Sequence, residues 1–158
     1  MKMKSLLFTV LTAFATLTFL ACDPKPESKE VPYTELERYF FRNDATIPTN
    51  PKIDTREQFD SLFGMAAVMG ANGRPTEVDF TKQFVIAVVL PVTNQATELD
   101  GERLLWFKDL LGGTNLDFQY SIDRDEDTLS YSMQPILLIA VDRQYDAEKV
   151  YLSEVEDK

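Results

Sequence analysis

The longest uninterrupted apolar run of the chain outside its N-terminus, residues 84–90 (FVIAVVL), is too short for a buried helix and rich in β-branched residues. It predicts a central strand covered on both faces. Further on, Leu116, Phe118, Tyr120 and Ile122 alternate with polar residues, the period of a half-buried strand. Leu129, Tyr131 and Met133 repeat that alternation beyond residues 123–127 (DRDED), so the two stretches predict a hairpin closed by an acidic turn. Residues 104–107 and 136–141, and the positions Val150, Leu152 and Val155, predict shorter strands.

Only one stretch carries a helical period. Phe59, Leu62, Phe63 and Ala66 fall on one face, and Thr55 with Gln58 three residues on forms a capping box. A helix is expected from residue 56 to about 67, stopped by the Gly and Pro of residues 69–75 (MGANGRP). Leu36 with Tyr39, Phe40 and Phe41 suits either strand or helix, and residues 43–52, with Pro48 and Pro51, read as a loop. The sum is an α+β domain: one main helix packed on a mostly antiparallel sheet of about five or six strands.

Part of this order resembles a known family. Phe63-Gly64, then Val78-Asp79-Phe80-Thr81-Lys82-Gln83 leading into the apolar strand, and later Gln134-Pro135-Ile136-Leu137-Leu138, resemble the PrcB-like domains of protease-complex subunits. They also resemble uncharacterised lipoproteins of Bacteroides-type bacteria, over roughly residues 53–143. The resemblance implies a protease-associated or inhibitor-like role carried by a glycine-rich, aromatic turn after the first buried strand. Here that place reads Thr93-Asn94-Gln95-Ala96-Thr97-Glu98, a departure with neither glycine nor aromatic residue.

The N-terminus adds a compartment. Lys2 and Lys4 precede an uncharged apolar and Thr-rich stretch, residues 5–20, and Ala21 is the small residue of a cleavage point. The chain's one cysteine, Cys22, follows at once, and Phe19-Leu20-Ala21-Cys22 resembles a bacterial lipobox. The resemblance implies cleavage before Cys22, diacylglycerol on its sulfur and acylation, palmitate among the acyl groups, of the new amino terminus. Several acyl chains anchor stably, each buried methylene adding about 0.8 kcal/mol. Residues 23–32 (DPKPESKEVP) hold three prolines and five charges and little to bury. The expected organisation is a lipoprotein signal peptide at 1–21, a tether at 22–32 and one globular domain at 33–158. The partner implied through Cys22 is the membrane of the cell envelope, the outer membrane before the inner, with the leaflet open.

Composition narrows the chemistry. There are 16 Lys and Arg, 26 Asp and Glu and no His, a net charge of −10. Loss of the leader removes Lys2 and Lys4 and no acid, taking the charge to −12. A domain so acidic is a poor binder of nucleic acid. Without His it also lacks the usual acid–base group and any Ser-His-Asp or Cys-His arrangement, and no cofactor motif is present. Asp123, Asp125 and Asp127 have the spacing that opens a calcium loop, yet Thr128 stands at the turn glycine and Gln134 at the closing Glu, so a solvated turn explains them equally well. Glu98, Asp100 and Glu102 beside Arg103 are the acids a carboxylate-based hydrolase would draw on. Tyr39, Phe41 and Trp106 are candidates for a contact surface toward a protein or carbohydrate, with core packing as their alternative use. The expected function is therefore a non-catalytic, lipid-anchored binding module, with the protease-associated and hydrolase readings as alternatives.

Overall fold

The computed structural model describes residues 28–66 and 73–156, so the leader, Cys22 and the first part of the tether lie outside the described residues. The strands in chain order begin with β1 (Ser28–Val31), β2 (Thr34–Glu35), β3 (Tyr39–Phe41) and β4 (Lys52–Ile53). The helix α1 (Arg56–Leu62) runs straight into β5 (Phe63–Met65). Then come β6 (Gln83–Val89), β7 (Thr93–Lys108), β8 (Thr114–Met133) and β9 (Ile136–Asp142). A 3-10 turn (Arg143–Tyr145) leads to β10 (Lys149–Glu154).

The run at 84–90 does become a central strand. β6 sits between β9 and β4 in a sheet of order β2-β9-β6-β4, and residues 84–88 are all buried. Alternation sends Phe84, Ile86 and Val88 into one core and Val85 and Ala87 into a second. β9 does the same, with Leu137, Ile139 and Val141 on the first side and Leu138 and Ala140 on the other. A sheet apolar on both faces requires two covers. The first is a second four-stranded sheet, order β1-β7-β8-β10, which supplies Val31, Leu104, Leu116 and Phe118. The second is α1 with the β3–β5 pair, which supplies Phe41, Phe59 and Phe63.

The expected α+β architecture is thus corrected. Strands take 57% of the described residues and helices 8%, in sheets of four, four and two strands rather than one sheet under one helix. The helix starts as expected: Thr55 is the N-cap and its Oγ1 accepts the Gln58 N–H at 3.2 Å. It ends at Leu62 because Phe63 turns extended (φ −122°, ψ 141°) and pairs with Phe41 in β3. Two aromatic rings gain more from that cross-strand contact, with centroids 5.6 Å apart, than from another helical turn. The aromatic run resolves as strand, set off from β2 by Arg38 in the left-handed region (φ 66°).

The chain reversal expected at residues 123–127 is also corrected. Those residues lie inside β8, which runs unbroken for 20 residues. The hairpin closes instead at residues 109–113, where Gly112 has φ +86°. Asp109 makes this the better turn: its Oδ1 accepts the backbone N–H groups of Leu111 (2.9 Å) and Gly113 (2.8 Å). Residues 28–31 of the expected tether form a strand too. Val31 is buried, and β1 pairs antiparallel with β7 from Ser28↔Phe107 to Val31↔Leu104.

A polar network fixes one end of the central sheet. The Lys52 ammonium reaches Asp54 at 3.3 Å and Asp146 at 2.5 Å, over the Phe84 ring. Arg143 donates to the Asp54 carbonyl at 2.6 Å and to the Phe80 carbonyl at 3.1 Å, tying the end of β9 to the start of α1 and the approach to β6. Asp79 structures that approach by accepting the Thr81 N–H and hydroxyl on Oδ1.

Two outcomes follow from this packing. Phe84 is wholly enclosed, so Phe84→Ala should cost about 3–5 kcal/mol in urea unfolding with an unchanged denaturant slope. The Asp109 carboxyl is held below its ordinary range, first by the Gly113 N–H and then by the Asn115 amide and Leu111 N–H. Because its folded value is depressed, its contribution is present above the ordinary carboxyl range and lost as pH falls through the lowered value. Thermal melts of Asp109→Asn should accordingly fall below the parent at neutral pH and converge with it under strongly acidic conditions.

Candidate functional site

The long hairpin is regular near its turn and irregular at its far end, and the irregularity builds a cleft. From Thr97 to Thr93 β7 advances four residues, while its partner β8 advances nine, from Arg124 to Met133. The five surplus residues of β8 bow away from β7, as a series of bulges does. The space opened is a cavity of about 360 Å³. Glu98, Asp123 and Asp125 line one part of it, and Leu129, Tyr131 and Met133 the other.

Glu98 and Asp123 are direct cross-strand partners, so their side chains share one face. Asp125 joins them two residues on, by the period of the strand. Arg124 points to the other side, into the depression lined by Pro91 and Val92. Among the described residues no Lys or Arg pairs with Glu98, Asp123 or Asp125. Three acids on one face without a cation of their own repel one another and leave a negative field at the cleft mouth. The same cleft is also lined by Leu129, Met133 and the Tyr131 ring, which is 63% exposed. Such a site can accept a cation that has an apolar stem or neighbour.

The acids of residues 98–103 are otherwise dispersed. Glu102 is the extra residue of a bulge between Gly101 and Arg103, and its Oε1 accepts the Ser121 hydroxyl at 3.1 Å. Arg103 donates to Gln119 at 2.7 Å. Gly101 admits the close approach that this bulge makes: a Cβ there would lie 2.8 Å from the Tyr33 hydroxyl and 3.2 Å from Phe118. Burial, and then the Glu35 and Glu102 charges, push the Tyr33 phenol up. The Asp123, Asp125 and Asp127 series does not wrap a cation, because same-face residues of a strand stand about 6.6 Å apart. Among the described residues no three His, Cys, Asp or Glu side chains converge as metal ligands.

The expected aromatic surface is placed differently. Phe41 is buried in the second core, and Tyr39 is half-buried, its hydroxyl donating to the Thr76 carbonyl at 2.7 Å and its ring edge-on to Phe59. Trp106 packs on the first core. Its neighbour Phe107 faces outward and stacks on Tyr151 of β10, centroids 6.3 Å apart and planes 26° apart. With Asp117 and Asn115 these rings line a shallow depression of about 430 Å³. Alternation counted from the buried Leu104 puts Trp106 in and Phe107 out, so the signal was present in the sequence. The place of the glycine-rich turn in the PrcB-like pattern, residues 93–98, is the first part of β7. Comparison of the chain with protein-family models, curated proteins and solved structures finds no match.

Like charges directly opposed across two strands destabilise them by up to about 1 kcal/mol. Asp123→Asn should therefore raise the thermal midpoint at low salt, and the gain should shrink as salt screens the pair, as calorimetry at two ionic strengths will read.

Proposed function

We propose that this protein is a bacterial cell-envelope lipoprotein, anchored by lipid on Cys22, whose domain is a non-catalytic binding module for a basic segment of another envelope protein. The observation that carries the binding reading is the cleft of Glu98, Asp123 and Asp125, three acids that no described Lys or Arg pairs, beside Leu129, Tyr131 and Met133. A Lys or Arg side chain suits such a cleft, its head at the carboxylates and its stem on the apolar side chains. The charge of the mature chain, −12 once Lys2 and Lys4 leave, would speed encounter with basic partners and repel anionic surfaces. The anchor rests on the leader pattern and the lone cysteine.

Acid–base chemistry gains little support from the same residues. A general acid is a carboxyl held protonated by its surroundings. Among the described residues, the carboxyls displaced from their ordinary range, Asp44, Asp79 and Asp109, are all displaced downward by hydrogen bonds and nearby cations. A carbohydrate ligand has one observation in its favour, the Phe107–Tyr151 stack with Asp117 and Asn115 at its rim.

Replacing Glu98, Asp123 and Asp125 by Gln, Asn and Asn should weaken binding of a Lys- and Arg-containing peptide about tenfold or more and flatten its salt dependence, measured by calorimetric titration. Unchanged affinity, with binding abolished instead by Tyr151→Ala and a glycan as the better ligand, would move the site to the stacked rings. Cys22→Ser should shift the protein from the membrane to the soluble fraction; retention in the membrane would sink the lipoprotein reading.

A further inference from the structure

We propose that the β7–β8 turn is a second membrane contact, inserting Leu110 and Leu111 into the interfacial layer of the bilayer that holds the lipid on Cys22. This rests on the anchoring reading above and adds to it a place on the fold and an orientation.

Leu110 and Leu111 are 93% and 97% exposed, more than any other large apolar residue described. Two adjacent leucines held in water at the apex of a turn gain by burial in an apolar phase. The turn also pairs part of its own backbone, which lowers the cost of approaching such a phase. Within it the Asp109 N–H donates to the Gly113 carbonyl (2.9 Å) and the Gly112 N–H to the Asp109 carbonyl (3.0 Å). The Leu111 and Gly113 N–H groups donate to the Asp109 carboxylate, which draws that charge into the loop and away from the apex.

The chain's own connectivity selects the occupant. Ser28 pairs with Phe107, so β1 begins at the turn end of the hairpin. Five residues separate Cys22 from Ser28, and six extended steps span at most about 20 Å. The far end of β7, 16 residues long, stands roughly 50 Å from the turn at about 3.3 Å per residue. A lipid on Cys22 therefore holds the leucine-bearing end to the bilayer and leaves the acidic cleft at the other end free for a partner. Lys108 and Lys149 hold the last register positions around the turn and Lys29 the next to last, interspersed with Glu30, Asp109 and Glu148. Lysines at a membrane-facing rim meet lipid phosphates.

The test uses the full-length lipidated chain in vesicles of phosphatidylethanolamine and phosphatidylglycerol. Leu111→Cys is labelled with a polarity-sensitive thiol fluorophore, and Tyr131→Cys, at the far end, serves as the comparison. A sulfur already bound to lipid takes no label, so the parent chain reports on Cys22. The expected result is an unlabelled parent, a blue-shifted probe at position 111 quenched several-fold less by aqueous iodide, and a fully quenched probe at position 131. A parent that takes up label at Cys22 overturns the anchoring and this inference with it. An unlabelled, vesicle-bound parent whose position 111 probe is as quenched as that at 131 overturns the turn contact alone. Shielding at position 111 already present in vesicle-free detergent-depleted solution assigns the leucines to contact between copies and likewise overturns it.

Discussion

The central sheet has no polar face, and that constraint orders the rest of the molecule. In β6 and β9 every residue from 84 to 88 and from 137 to 141 is buried, on whichever side it points. Water must be kept from both faces, so the chain has to supply two covers from what precedes and follows these strands. The larger cover is a sheet of alternating strands, which buries Leu104, Leu116 and Phe118 inward and leaves Arg103, Asp117 and Gln119 outward. The smaller is a patch of rings: Phe59 lies 5.0 Å from Tyr39 and 5.2 Å from Phe63, centroid to centroid. A short helix suffices there because its task is to deliver one fully buried aromatic, Phe59.

What was legible in the sequence follows from how local each cause is. The buried run, the alternation at Leu116, Phe118 and Tyr120, and the Thr55 cap are set by residues within a few positions of one another. The end of α1 was not, since it is decided by pairing of Phe63 with Phe41, 22 positions away. Residues 123–127 and 109–113 both have turn composition, and the choice between them is also non-local. Reversal at 109–113 lets β7 and β8 pair along most of their length, a gain that composition alone does not reveal. β1 was hidden for a related reason: Ser28-Lys29-Glu30 has a polar composition, and its ladder to β7 with one buried valine is what makes it a strand. The site was half legible. Glu98, Asp123 and Asp125 stood out as acids in two separate clusters, but only the register Glu98↔Asp123 brings them to one face. Phe107 was readable from alternation, and was eclipsed by the larger Trp106 beside it.

The surplus of residues on β8 links the fold to its use. A straight pairing down to Met133 would have left the hairpin flat, with Leu129 and Tyr131 on an open surface. Five extra residues let β8 depart from β7, carry Leu129, Tyr131 and Met133 across the gap, and still reach β9 in the central sheet through Gln134, whose amide donates to the Leu90 carbonyl at 3.1 Å. The cleft is therefore a by-product of the crossing between sheets, a position where strand pairing is already incomplete and clustered acids disturb least. Stability is given up there rather than in the double core, where Phe84 and Ile139 tolerate no such irregularity.

Direction is the last consequence. A hairpin 16 residues long on its shorter arm is stiff along its strands and has two unlike ends. One ends in a tight, internally hydrogen-bonded turn with apolar side chains at its apex; the other frays into a negatively charged cleft. Because β1 pairs at the turn end, the N-terminal chain leaves the fold beside the leucines and far from the acids. A lipid-anchored binding module needs that separation, since a cleft for a basic partner would otherwise lie against headgroups and compete with them for the same cations. The antiparallel ladder of β1 with β7 supplies it from backbone geometry alone: pairing in the opposite sense would aim the chain before Ser28 along β7 toward the cleft.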